Sequence, residues 1–122
     1  MSKILVVDDE VKACELLKRF LEMKGYEVIT SNNGEDAIEK VKNENPDAML
    51  LDIRMPGMEG TEVLRRVREF DKDVGIIMVT AVKEEAIGKE AIEAGADEYI
   101  TKPIDFNYLD TTILVGLVMR KK

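Results

Sequence analysis

Asp47-Ala48-Met49-Leu50-Leu51-Asp52 is the central segment of this chain, with four apolar residues between two carboxylates. A short, uninterrupted apolar run is typical of a strand in a parallel sheet, buried on both faces. Met55-Pro56-Gly57 soon follows, so the strand is expected to end near Asp52. Ligand sites of open α/β sheets form at the carboxyl ends of the strands, which makes Asp52 a candidate for chemistry. The alternative is that Asp52 only caps a helix or starts a turn.

Composition limits the classes of function that the chain can have. Its 122 residues, 45% hydrophobic and 35% charged, predict one domain, and its apolar runs are too short to span a bilayer. A net charge of −7 argues against direct nucleic-acid binding. The absence of histidine excludes a histidine metal ligand, general base or phosphohistidine on this chain. The single cysteine, Cys14, and the lack of a signal peptide before the first strand favour the cytoplasm.

Strand-like and helix-like segments alternate five times without a linker or repeat. Each apolar strand segment is followed by an amphipathic helical pattern, with Leu16 expected on the core face of the first helix and Phe70 on that of the third. Parallel strands need such helical crossovers. The pattern predicts an α/β fold with a doubly wound, five-stranded parallel sheet, of the flavodoxin-like (βα)5 type with strand order 2-1-3-4-5. The more polar fifth strand is expected at an edge.

Polar side chains stand at the ends of four of the predicted strands: Asp8-Asp9 on the first, Asp52 on the third, Thr80 on the fourth and Lys102 on the fifth. The end of the second strand, at residues 29–31, does not obviously join them. Strands one and three are neighbours in the predicted order, which brings the three carboxylates together. They repel each other unless a cation offsets them, and a hard ion such as Mg²⁺ suits oxygen ligands. The alternative for Asp8-Asp9 is a helix cap.

A metal beside a carboxylate, a hydroxyl and an ammonium group makes a site for phosphoryl transfer. The Asp52 carboxylate can act as nucleophile, while the metal, Lys102 and Thr80 hold the oxygens of the transferred group. A cis bond at Lys102-Pro103 is one way to aim the ammonium group inward.

Asp8-Asp9, Asp52, Thr80-Ala81 and Lys102-Pro103, in this order and spacing, resemble the receiver domain of bacterial two-component response regulators, with the CheY-like fold. The resemblance covers the chain from Lys3 to the last helix. It implies a signalling phosphoacceptor, not a conventional enzyme, that catalyses only its own phosphotransfer and slow autodephosphorylation. By this resemblance, Asp52 takes a phosphoryl group from a phosphohistidine of a sensor histidine kinase, and Asp8, Asp9 and the backbone carbonyl of Arg54 complete a Mg²⁺ site with it. Lys102 pairs with the phosphate, Thr80 hydrogen-bonds it, and Tyr99 is the switch aromatic.

Other features concern regulation and output. Arg54 and Val82 occupy positions that vary within the family; an arginine can cover the phosphate and a valine cannot position a water, which favours slow self-hydrolysis. Residues 1–122 are expected to form the receiver alone, without an output domain, so output would pass through a downstream target or phosphotransfer protein. The last helix, from about Asp105, should pack Leu109, Ile113, Gly116 and Leu117 on the sheet. That leaves an apolar patch, suited to a kinase, a target or a weak homodimer, made of Leu114, Val115, Val118 and Met119.

The sequence argues against three rival functions. An aspartyl phosphatase would need a second Asp two residues after Asp52, where Arg54 stands. A flavodoxin-type flavin carrier would need a glycine- and hydroxyl-rich first loop, and Asp8-Asp9-Glu10 would repel its phosphate. A degenerate receiver that binds partners without phosphorylation would not need the acceptor residues, all of which are present.

Overall fold

The sheet has the predicted parallel order, β2-β1-β3-β4-β5, with strands and helices in strict alternation. The structure is a computed structural model that describes residues 2–81 and 84–120, with side chains as far as residue 117. The strands are β1 (Lys3–Val7), β2 (Glu27–Ser31), β3 (Ala48–Asp52), β4 (Gly75–Ala81) and β5 (Glu98–Lys102). The helices are α1 (Val11–Met23), α2 (Gly34–Glu44), α3 (Gly60–Phe70), α4 (Glu85–Glu93) and α5 (Phe106–Arg120). The doubly wound fold is thus confirmed, and β5 lies at an edge, as predicted.

Strand register decides which residues reach the carboxyl edge of the sheet together. Val7 is paired with Leu51, so the residues that follow them, Asp8 and Asp52, leave the sheet side by side. Asp52 is in turn paired with Val79 of β4, directly before Thr80. On the far side of β4, Ala81 is paired with Lys102. The parallel pairing therefore gathers the polar strand ends along one edge.

The core has two layers because side chains alternate across the sheet. Leu5 and Met49 lie in the layer covered by α2, α3 and α4, whereas Ile4 and Leu50 lie in the layer covered by α1 and α5. Every residue of β3 is buried, since helices cover both of its faces. This explains why the 48–51 run is apolar without interruption.

Two large apolar residues that were expected on the core faces of α1 and α3 are exposed. Leu16 is exposed, because Cys14, Leu17 and Leu21 form the stripe of α1 that meets the sheet, and Leu16 lies about 100° around the helix from Leu17. Phe70 ends α3 at the surface, where the Lys42 ammonium group lies 5.0 Å from the centre of its ring. The core assignments of Leu16 and Phe70 were therefore wrong.

Helix α5 carries apolar residues on more than one side. Leu109, Ile113 and Leu117 pack on the sheet, as predicted, whereas Leu114 and Val115 are exposed. Gly116, which was predicted to pack with them, is only half-buried. Val118 and Met119, the other members of the predicted patch, lie outside the described side chains, and Val82 lies outside the described residues. Within residues 2–81 and 84–120, the helices are too short or too polar to cross a membrane.

Candidate functional site

Three carboxylates meet at the carboxyl edge of the sheet. Asp8 and Asp9 follow β1, and Asp52 is the last residue of β3; one oxygen of each lies within 4.8 Å of the others. Asp8 and Asp52 are buried, with 6% and 5% exposure, whereas Asp9 is exposed. Two buried carboxylates at this distance repel each other, and an all-oxygen donor set with one open side fits a hard divalent ion such as Mg²⁺.

The Asp52 carboxylate accepts hydrogen bonds from two donors, a side-chain ammonium group and a backbone N–H. Its Oδ2 accepts from the Lys102 ammonium group at 3.2 Å, and its Oδ1 accepts from the backbone N–H of Arg54 at 3.2 Å. Burial raises the pKa of Asp52; Lys102 opposes this rise, and the neighbouring Asp8 adds to it. Keeping Asp52 charged in this site therefore costs free energy, which is typical of a functional group and not of a packing residue.

Lys102 reaches this carboxylate across the end of β4, because β5 is two strands away from β3. Burial lowers its pKa, but the charge and hydrogen bond of Asp52, with Asp8 and Glu10, outweigh burial and leave the pKa above its ordinary value. The ammonium group thus stays charged at neutral pH and lies against the Asp52 carboxylate. The Lys102–Pro103 peptide bond is cis.

The end of β2 also belongs to the site, contrary to expectation. The Asp8 backbone N–H donates to the Ser31 carbonyl at 3.1 Å, and the Asn32 side-chain amide donates to the Asp8 carbonyl at 2.9 Å. The Asp8 Oδ1 accepts from the backbone N–H of Glu10 at 2.9 Å, just before α1 begins. Asn32 was missed because its role depends on the pairing of β1 with β2; a polar residue directly after a strand was the only signal.

Thr80 contacts the residues that follow it, and Tyr99 contacts α4. The Thr80 hydroxyl is buried and lies 3.3 Å from the Glu84 carbonyl and 3.4 Å from the Ala81 carbonyl, within donating distance of either. The Tyr99 ring packs against α4 at Gly88, where an added Cβ would lie 2.8 Å from Cδ2 of the ring. The two residues thus occupy neighbouring strands; Thr80 contacts the residue before α4, whereas Tyr99 contacts α4 itself.

The Arg54 side chain bridges two carboxylates, although about half of it is exposed to solvent. Its Nε donates to Glu84 at 2.6 Å and its NH1 group donates to Glu59 at 2.7 Å. Glu84 directly precedes α4, and Glu59 directly precedes α3. The guanidinium therefore links the loop that follows β3 to the loop that follows β4. Sequence reasoning singled out Arg54 but not Glu84, since 30 residues separate the partners.

Gly60 is a second residue that the sequence did not single out. It begins α3, and its backbone N–H donates to the Ile53 carbonyl at 2.8 Å. A Cβ at this position would lie 2.2 Å from the backbone oxygen of Asp52. Only glycine allows the first turn of α3 to lie this close to the strand end that carries Asp52. A glycine three residues after Gly57 was the only sign in the sequence.

Comparison with known proteins places these features in a family. Residues 4–114 match the response regulator receiver domain. The chain is 43% identical over 120 residues to the transcriptional regulatory protein ResD of Bacillus subtilis (strain 168), covering 98% of this chain and 49% of ResD. It is 40% identical over 120 residues to the alkaline phosphatase synthesis transcriptional regulatory protein PhoP of the same organism, with the same coverage. The chain thus spans about half the length of these curated relatives.

Solved structures agree with this relationship. A CheY-like response regulator receiver domain protein from Methanospirillum hungatei JF-1 has a TM-score of 0.91 and 34% identity, covering 99% of this chain and 97% of that one. A response regulator receiver domain protein from Clostridium thermocellum has a TM-score of 0.94 and 28% identity, with coverage of 99% and 98%. The family match over residues 4–114 and the resemblance of the whole fold lead to one conclusion: this chain belongs to the response regulator receiver domain family.

Proposed function

We propose that this receiver accepts a phosphoryl group on Asp52 from a phosphohistidine of a sensor histidine kinase, in the presence of Mg²⁺. The observation that supports the proposal best is the position of Asp52: a buried carboxylate at a strand end, between Lys102 and the Asp8–Asp9 pair. An Asp52 oxygen would form the new bond to phosphorus. The bond from phosphorus to the imidazole nitrogen would break, and the electron pair would leave with the kinase histidine.

The residues around Asp52 have distinct tasks in this proposal. Asp8, Asp9, Asp52 and the carbonyl of Arg54 would hold Mg²⁺, which when bound offsets the charge of the transferred oxygens. Lys102 is already paired with Asp52 and would follow the negative charge onto the phosphoryl group. The backbone N–H of Arg54 keeps one oxygen of Asp52 oriented.

Intact-mass measurement after exposure to acetyl phosphate and Mg²⁺ tests the proposal. The wild-type chain should gain the mass of one phosphoryl group, and Asp52→Ala should gain none. Asp47→Ala is the matched control, because it removes an aspartate next to the opposite end of the same strand and should label normally. An Asp52→Ala variant that labels as the wild type does would refute the assignment. A wild-type chain that never labels would instead favour a receiver that binds its partners without phosphorylation.

Thr80 and Tyr99 are proposed to transmit the change. A phosphoryl group adds about 1.5 to 2 negative charges and strong acceptor oxygens, which would attract the Thr80 hydroxyl away from its backbone partners. The space that Thr80 leaves would let Tyr99 take up a new position against α4. Structures with and without beryllofluoride, a mimic of the phosphoryl group, test this step. An unchanged Thr80 hydroxyl and an unchanged Tyr99 ring would contradict it.

The exposed apolar side of α5 is proposed as a contact surface for the kinase, a downstream protein or a second copy of the domain. Leu114 and Val115 are 54% and 56% exposed on consecutive positions. Leu114→Glu should weaken kinase transfer or self-association in sedimentation experiments without changing the acetyl phosphate reaction. Met23→Glu, the same type of change on exposed α1, is the control. Equal behaviour of both variants would show that the α5 surface binds none of these partners.

The proposed function also implies a location in the cytoplasm. A receiver without an output domain and slow autodephosphorylation remain predictions.

A further inference from the structure

Glu84, the residue directly before α4, contacts Arg54 of the β3–α3 loop and Thr80 of β4 through two different groups. Its carboxylate accepts from the Arg54 guanidinium at 2.6 Å, and its backbone carbonyl accepts from the Thr80 hydroxyl at 3.3 Å. The carboxylate is only 18% exposed, whereas Arg54 is 54% exposed. The same residue therefore accepts from two donors, a guanidinium and a hydroxyl, that belong to residues at the ends of the neighbouring strands β3 and β4.

We propose that Glu84 is a positioning residue that holds the unphosphorylated arrangement of the site, with Arg54 and Thr80 drawn towards Glu84 and away from Asp52. The inference rests on the proposed phosphorylation of Asp52 and concerns the regulation of that site. It assigns a role to a residue 32 positions after the acceptor, for which the strand-end motifs gave no indication.

Competition between two anions is the physical basis. The backbone N–H of Arg54 donates to Asp52, so the arginine is anchored two residues from the carboxylate that would carry the phosphoryl group. A phosphoryl group on Asp52 would present new charged acceptors for both donors, and each donor must leave Glu84 to reach them. The free energy of the Glu84 contacts is then lost on phosphorylation, so these contacts oppose it.

Glu59 also contacts Arg54, but it lies in the same loop as Arg54. It accepts from Arg54 at 2.7 Å, lies five residues further along that loop and has no bond to Thr80. The Arg54–Glu59 pair can therefore persist while Arg54 turns towards Asp52, whereas the Arg54–Glu84 pair joins two separate loops and must break.

Binding of beryllofluoride with Mg²⁺, followed by fluorine NMR, tests the role of Glu84. Glu84→Gln removes the charge and keeps the side-chain shape, and it should lower the half-saturating beryllofluoride concentration about two- to fivefold, the range expected of a partly exposed ion pair. Glu85→Gln removes an exposed carboxylate from the next position and should leave binding unchanged. Equal melting temperatures would show that the fold is intact.

A double-mutant cycle separates the Arg54 contact from a general effect of charge. Glu84→Gln introduced into an Arg54→Gln background should have no further effect on beryllofluoride binding. An effect of the same size in both backgrounds would overturn the inference, because the lost charge would then act directly on the anion. A second measurement avoids variants: the Arg54 Nε–H signal of the wild-type chain should shift on beryllofluoride addition, and an unmoved signal would also overturn the inference.

The outcomes distinguish this inference from the proposed function. A wild-type chain that neither binds beryllofluoride nor labels with acetyl phosphate refutes the proposed function. A wild-type chain that does both, together with a Glu84→Gln variant that binds as the wild type does, refutes only the role of Glu84.

Discussion

Replacement of Gly60 by alanine should distort the acceptor strand directly. The added Cβ would lie 2.2 Å from the Asp52 backbone oxygen and 2.9 Å from the Cα of Ile53, whereas ordinary contacts begin at 3.4 Å. Helix α3 or the end of β3 must then move by more than 1 Å, and both atoms are backbone, so no side-chain rotation relieves the clash. Overpacking with a backbone shift costs about 1–3 kcal/mol or more, and the higher helix propensity of alanine offsets about 1 kcal/mol at most.

The expected net loss is about 1–2 kcal/mol in the free energy of unfolding, which corresponds to a fall of roughly 4–8 °C in melting temperature for a domain of this size. Urea unfolding and thermal melting by circular dichroism measure the loss. The rate of labelling by acetyl phosphate should fall as well, because the Asp52 carboxylate moves with its backbone.

Gly116→Ala is the matched control. It makes the same chemical change inside α5, where no described atom outside the surrounding helix backbone lies within 4 Å of the added Cβ, and it should stabilise the chain by about 0.5–1 kcal/mol. A Gly60→Ala variant that melts within about 2 °C of the wild type and labels at the same rate would show that the contact between α3 and the Asp52 carbonyl carries no strain.

Three further predictions concern groups in and around the site. Burial and Asp8 raise the pKa of Asp52, so its charged form destabilises the fold above that pKa and has no effect below the ordinary carboxyl pKa of 3.8. Asp52→Asn should therefore raise the melting temperature of metal-free protein at pH 7, with a gain that vanishes on acidification; a lower melting temperature at pH 7 would contradict this. Burial and Asp8 raise the pKa of the Cys14 thiol from 9.0 to about 11. The wild type should therefore lose about 3 kcal/mol of unfolding free energy between pH 9 and 11, and a Cys14→Ala variant should not show this loss. Urea unfolding at several pH values measures the difference, and the same pH dependence in both proteins would refute the shift. Gly88→Ala should displace the Tyr99 ring, whose Cδ2 lies 2.8 Å from the added Cβ, while the melting temperature changes little because the ring can rotate; an unchanged ring position in NMR spectra would show that α4 gives way instead.

Local sequence determined the strands, the helices and the sites where chemistry can occur. The apolar run before Asp52 is uninterrupted because β3 is covered on both faces, and this property is visible without any knowledge of its neighbours. Gly25 and Gly95 mark the ends of α1 and α4 by their positive φ angles, 95° and 119°, which glycine adopts without strain. The polar strand ends were predictable for the same reason, since a charged residue after a buried strand interrupts an apolar pattern.

Tertiary structure decided which of these residues touch. Leu16 and Phe70 fit an apolar helical pattern, yet their exposure depends on where the sheet meets each helix. Asn32 supports Asp8 because β1 and β2 are paired in one register, and Glu84 meets Arg54 because two loops leave neighbouring strands. Gly60 is required because α3 begins against the Asp52 carbonyl. Periodicity and propensity act over a few residues along the chain, whereas these contacts follow from parallel pairing of strands far apart in sequence, so only the folded sheet determines them.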